Sequence, residues 1–258
     1  MFKYYTIPEK DSGFVIEKII GFKPTVKFSP AFHMNDPFEY KFNLKIDVNS
    51  KVSEKKYFEK FPKNTIDDYR KWQKGISDNF TWYNEQEIRK YSAITYNLCS
   101  FSEKNNNNLM WSHYTNNHKG FCVEYSDELF DFFKSNKKFL ACGKVNYSQS
   151  PPLVESFEED ESKLFKIFFN KQLEWKYEEE FRVLFKCNGK TEFVEIENKF
   201  IKSVFIGSKC DAAFSDKIID VCSRNNIKIF HGITMGKTYE IEFEEHEEGK
   251  IFMKSFWN

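Results

Sequence analysis

Glycine and proline are sparse in this chain, 10 and 7 residues of 258, and no glycine-rich phosphate loop is present. Nucleotide binding through the backbone amides of such a loop is therefore excluded. Cysteine never appears as a C-x-x-C pair. Cys99, Cys122, Cys142, Cys187, Cys210 and Cys222 lie scattered beside hydrophobic neighbours, the distribution expected of buried reduced thiols rather than of disulfides or zinc ligands. No window reaches the ~20 apolar residues of a membrane span, and the first residues carry no basic segment followed by an apolar run. A soluble, cytoplasmic protein is expected. Neither sign of charge is in excess, with 39 Lys plus Arg against 39 Asp plus Glu, so no net field draws the molecule to nucleic acid or to an anionic membrane. Any nucleic-acid contact must be local.

Aromatic residues are plentiful instead: 30 Phe and 13 Tyr, each able to bury about 150–250 Å². A length of 258 residues fits one large domain. The pattern predicts a strand in "FKYYTI", a helix in "DSGFVIEKIIGF" capped by Asp11 or Ser12, and a strand over 25–29. A turn in "PAFHMNDPFE" follows, then two helices within 53–91. Further on it predicts a strand over 93–101, a short helix or turn over 107–114, and strands over 119–125 and 139–147, with a short helix between the two. A long helix is expected through "FEEDESKLFKIFFNKQLEW", where apolar residues recur at helical spacing behind an acidic first turn. Strands in "EFRVLF", "EFVEI" and "IKSVFIG", a helix over 211–224 and three more strands through residue 256 complete the reading. Such mixing without regular alternation predicts an α+β fold with a mixed or antiparallel sheet.

Three stretches carry candidate chemistry. In "NLMWSHYTNNHKGFCVEY", Met110 and Trp111 are expected to bury, Gly120 to let the chain change direction and "FCVEY" to form a core strand. Ser112, His113, Tyr114 and His118 are then left crowded just outside the core, either as structural hydrogen-bonders or as a stacking pocket. In "EWKYEEEFRVLF", strand alternation aims Glu180, Arg182 and Leu184 to one face and Phe181, Val183 and Phe185 to the other. That pattern is either a solvated edge with an ion pair or a cleft in which a carboxylate takes a proton or holds a sugar hydroxyl. In "NDPFE", Asn35, Asp36 and Glu39 either shape a turn or face a ligand from a loop. His113 and His118 are five apart, which does not stack two rings on one helical face, and no H-E-x-x-H accompanies them, so no metal is expected. No G-x-S-x-G is present, and the cysteines lie in apolar runs where burial makes a thiol inert.

In order and spacing, "FKYYT", "KFSPAFHMNDPFE", "LCSFSEKNNNNLMWSHYTNNHKGFCVEY", "KVNYS" and "WKYEEEFRVLF" resemble the bacterial family of domain of unknown function 2971, over residues 1 to about 207. Residues 208–258 would be a β-rich extension. The order of a first strand with a basic residue beside a tyrosine, a helix, a second strand ending near a loop, and a late strand opening on glutamate is also similar to the ADP-ribosyltransferase superfamily, particularly its nucleic-acid-modifying toxin branch. That resemblance implies a split β-sandwich with helical insertions and NAD as substrate. By position, Lys3 and Tyr4 match the first motif, Tyr114 or His113 the middle one, and Glu180, or failing it Glu178, the catalytic glutamate. Asn35, Asp36, Trp111, His118 and Arg182 complete the candidate dinucleotide contacts. Lys3 stands where histidine or arginine is usual, and the middle motif lacks the usual serine-threonine pattern. The expectation is an NAD-dependent ADP-ribosyltransferase effector, of toxin or phage-defence type, acting on nucleic acid or protein. The rivals are a non-catalytic nucleotide- or partner-binding module and a nuclease effector.

Overall fold

The computed structural model describes residues 1–76, 78–187, 189–234 and 237–250. The chain opens with β1 (Phe2–Tyr5), α1 (Ser12–Ile20), β2 (Thr25–Pro30) and β3 (Asn43–Lys45). Three helices follow, α2 (Lys51–Lys60), α3 (Ile66–Gly75) and α4 (Asp78–Thr95), before β4 (Tyr96–Ser102), α5 (Asn108–Tyr114), β5 (Phe121–Tyr125) and α6 (Glu128–Lys134). Then come β6 (Phe139–Lys144), β7 (Asn146–Ser148), β8 (Leu153–Glu155), α7 (Asp160–Phe168), β9 (Asn170–Gln172) and β10 (Glu180–Lys186). The last are β11 (Glu192–Glu195), β12 (Ile201–Ile206), α8 (Ala212–Arg224), β13 (Lys228–Ile233) and β14 (Glu242–Glu245).

Ten of these strands make one mixed, mostly antiparallel sheet, so the fold is α+β. Its organising strand is β4. Along one edge β4 pairs with β10 over its whole length, from Glu180↔Ser102 to Lys186↔Tyr96. The other edge is shared: β2 takes Asn97 and Leu98, while β1 takes only Ser102. The sheet therefore forks there, with β5, β12, β13 and β14 continuing beyond β1 and β11 beyond β2. Lys3 reaches across the fork, its Nζ donating to the Ser100 carbonyl at 2.8 Å.

β10 lies between β4 and β6 and is buried on both faces. The expected alternation holds: Val183 and Phe185 enter one core cluster and Leu184 another. A solvated edge is thereby excluded for Arg182, which has 0% exposure. Trp111 and Met110 are buried, as is "FCVEY" apart from the half-buried Glu124. Gly120 is needed for close approach, since a Cβ there would stand 2.0 Å from the Tyr5 carbonyl oxygen.

Several boundaries depart from the sequence reading. Residues 53–91 were expected to hold two helices, and the region holds three, because Ser50 and the Thr65–Asp68 capping box each start a new one. The last runs to Thr95, through the predicted start of β4. The long helix expected through Trp175 ends at Phe168, where Asn170 Nδ2 donates to the Lys166 carbonyl at 3.0 Å and satisfies one of the orphan C-terminal acceptors. Residues 170–178 become β9 and a 3-10 turn over Leu173–Glu178. Asp11 is left-handed and makes no side-chain cap on α1. Of the three further strands expected through residue 256, whatever falls beyond residue 250 lies outside the described residues. No helix among the described residues is long and apolar enough to cross a membrane.

Candidate functional site

The fork of the sheet opens into a cleft of about 340 Å³ whose walls come from β1, β2, β4, α5, the loop after β2 and the turn before β10. Lys3, Tyr4, Asn35, Tyr114, Glu178 and Glu180 all line it. Segments more than a hundred residues apart in sequence thus converge on one cavity.

Beneath the cleft lies a buried ion cluster. Arg182 holds two carboxylates at once: Nη2 and Nη1 donate to Glu39 at 2.7 and 3.1 Å, while Nε and Nη2 donate to Glu180 at 2.9 and 2.8 Å. A further Arg182 Nη1 bond goes to the Phe168 carbonyl at 2.6 Å. Lys171 sits among the same acids, with Nζ 2.5 Å from Glu178, 3.3 Å from Glu39 and 3.7 Å from Glu180. Its ammonium also lies 4.6 Å from the Trp175 ring, a cation–π contact. Tyr114 donates its hydroxyl to the second oxygen of Glu178.

The local backbone explains how Glu178 and Glu180 reach the same cations. Glu178 ends the 3-10 turn, Glu179 takes a left-handed conformation at φ 43°, and Glu180 begins β10. That reversal folds the carboxylates on either side of Glu179 toward Lys171. Glu179 itself turns out to Lys104 at 2.6 Å. Tyr147 steadies the strand entry by accepting from the Glu180 amide at 2.9 Å.

Three carboxylates against two cations leave the buried cluster with one excess negative charge. The environment assigns that excess unequally. Burial alone would raise the Glu180 carboxyl, but the Arg182 charge and hydrogen bonds, with Lys171 behind them, hold it down at about 2. Glu178 goes the other way: burial and the neighbouring Glu180 charge raise it, only partly offset by Lys171 and Tyr114. Burial disfavours the charged form of Lys171, yet the three glutamates outweigh it and keep the ammonium protonated. Two carboxyls pushed apart in this way are suited to different roles, one a fixed anion and one a proton carrier.

A pH dependence follows for Glu180. Its folded value of about 2 lies below an unfolded value of 4.5, so its contribution is complete above pH 4.5 and is lost as pH falls toward 2. At about 1.4 kcal/mol per unit this amounts to roughly 3 kcal/mol. Glu178, raised in the fold, contributes with the opposite sign, its effect on stability turning favourable as pH falls and it takes up its proton. Thermal midpoints measured from pH 5 down to pH 2 should fall for the wild type and fall less steeply for Glu180→Gln.

The other expected contacts separate from the cleft. Arg182 lies under its floor and touches no solvent. Trp111 is a core residue whose indole donates to the Asn105 carbonyl at 2.5 Å and whose ring backs Tyr4 edge-on at 5.5 Å. His118 is buried and nearly parallel to Trp111, with Nε2 3.4 Å from the Ser112 hydroxyl, and burial lowers its pKa. His113 is exposed, its Nδ1 2.9 Å from the Tyr177 hydroxyl. Asp36 shapes the turn, accepting from the Phe38 amide at 2.8 Å. None of these five lines the cleft. Glu39, the last residue of "NDPFE", does line it. Lys171 has no counterpart in the sequence reading, because it was placed inside the long helix.

Among the described residues no group of three or more His, Cys, Asp or Glu side chains is arranged to hold a metal ion; the three glutamates are instead paired with Lys171 and Arg182. Residues 110–183 match a family described as "Protein of unknown function (DUF2971)". The matched stretch contains Tyr114, Lys171, Glu178, Glu180 and Arg182 but neither β1 nor Glu39. No curated protein and no solved structure matches the chain.

Proposed function

We propose that this chain is a cytoplasmic ADP-ribosyltransferase, an effector of the toxin or phage-defence type that consumes NAD to modify nucleic acid or protein, with the forked sheet acting as a split β-sandwich around the dinucleotide. The observation that carries the reading is the convergence of Lys3 and Tyr4, Tyr114, and Glu178 with Glu180 on one cleft. Its volume lies at the lower end of the roughly 300–1,000 Å³ of small-molecule sites, which suits the nicotinamide riboside part of NAD.

The cluster's charge fits the chemistry. The bond between ribose C1′ and nicotinamide breaks with its electron pair leaving on nicotinamide, and positive charge builds on the ribose. That charge comes from the nicotinamide ring, already cationic in NAD, and ionised carboxylates beside the ribose favour its transfer there. Glu180, held ionised by Arg182, supplies a fixed anion that needs no reorganisation. Glu178, whose raised pKa brings it nearer neutrality, takes the proton from the acceptor as its oxygen or nitrogen bonds to C1′. Tyr114 stays protonated, since burial and the Glu178 charge raise its pKa, and it orients the Glu178 carboxylate. Lys3 and Tyr4 face the ligand from β1.

One observation favours a second reading, a module that binds a nucleotide without turning it over: both Glu178 and Glu180 already have cationic partners. Incubation with NAD labelled in its adenylate half, alongside nucleic acids and cell extract, separates the readings. Label on an acceptor is expected of the enzyme. Finding neither released nicotinamide nor labelled product would overturn the transferase reading.

A further inference from the structure

An 18-residue helix, α4, packs against β2, β3, β4 and the turn after β2. Glu85 accepts from the Leu44 amide at 3.1 Å, and Ser92 is buried. On the side turned away, Phe80, Tyr83, Tyr91 and Ile94 are 38, 64, 58 and 49% exposed. With exposed Glu87 they form a stripe at steps of three, four, four and three residues, which keeps all five on one helical face. Exposed aromatic and aliphatic side chains grouped on one helical face mark an interaction site.

The order of the stripe says what covers it. It reads the same in both directions about Glu87, Phe80 answering Ile94 and Tyr83 answering Tyr91. A second copy of the helix laid antiparallel across a two-fold axis at Glu87 therefore sets Tyr83 against Tyr91 and Phe80 against Ile94 on both sides. Lys90, also exposed, stands three residues beyond Glu87, so each copy offers its cation within about one turn of the other's acid. Such an isologous contact, one patch serving both partners, is the usual form of a two-fold dimer. We propose that the protein self-associates through α4, antiparallel, with Glu87 at the axis. None of the stripe residues lines the cleft, so the contact leaves the candidate site open, and the proposal does not depend on the transferase reading.

Sedimentation of the full chain across micromolar concentrations should show a dimer that the Tyr83→Glu/Tyr91→Glu double variant loses while keeping the wild-type circular dichroism and melting point. The axis has its own test, since the native cysteines are buried or half-buried. A Glu87→Cys variant should form a disulfide-linked dimer on mild oxidation, and the wild type should not. A monomer at every concentration, a dimer that survives the double substitution, or a Glu87→Cys variant that fails to cross-link would overturn the proposal. A monomer that instead retards single-stranded nucleic acid through Tyr83 and Tyr91 would overturn it in favour of a different partner.

Discussion

An Arg182→Met variant is expected to lose about 3–5 kcal/mol of stability. For a chain of this length that corresponds to a fall in melting temperature of roughly 6–20 °C. Methionine can fill much of the volume but donates nothing, and Glu39 and Glu180 would be left charged, buried and facing each other across the space of one guanidinium. The loss comes from the stranded acids more than from the pair's own strength. Removing the acids as well, in an Arg182→Met/Glu39→Leu/Glu180→Leu variant, should therefore recover much of the stability. Scanning calorimetry of the two variants side by side checks this. A single variant as stable as the wild type would show that the cluster is not dry and not coupled.

The second large effect concerns turnover. Glu178→Gln keeps the shape of the side chain and a hydrogen bond to Tyr114, but it removes the group proposed to accept the acceptor's proton. Its rate of ADP-ribosyl transfer should fall by about 10²–10⁴ with little change in NAD affinity. Glu180→Gln should also lose rate, because the fixed anion is gone, and unlike Glu178→Gln it should lose stability, because Arg182 is left half-paired. The pH–rate profile carries a separate signature. Activity should drop as pH falls through the raised Glu178 value, at a pH higher than an ordinary glutamate would give, since burial and the Glu180 charge both favour its protonated form. A drop at an ordinary glutamate pH would assign the proton transfer to another group.

How far these residues could be read from the sequence varied with the range of the interaction that places them. β10 was legible because alternation is local: the period of two that sets Glu180 and Arg182 apart from Val183 and Phe185 appears directly in "EFRVLF". Trp111 and Gly120 were legible for the same reason, one by size beside a core strand and the other by the lack of a side chain where two backbones meet. Lys171 was hidden by the helical spacing of Phe165, Phe168, Phe169 and Leu173, which runs on past the true end of α7. Only Asn170, capping the helix, marks the break. Glu39 was named as a loop candidate, but nothing local tells that its partner stands 143 residues away. His113 and His118 stayed open between structural hydrogen-bonders and a stacking pocket, since crowding beside a core strand does not decide between them. The left-handed run at Asn116, Asn117 and His118 folds His118 back under the Trp111 ring. The fork itself has no local sign, since it depends on β1 and β2 taking different parts of the same β4 edge.

The central claim is that the cleft at the fork receives the nicotinamide ribose of NAD beside Glu178, and proton NMR of NAD mixed with the protein tests it most directly. With the wild type, the nicotinamide-ring signals should broaden and free nicotinamide should then accumulate. With Glu178→Gln, the same signals should broaden while the NAD stays intact. Sharp, unshifted NAD resonances in the presence of the wild-type protein, with no nicotinamide released over the same period, would contradict the account.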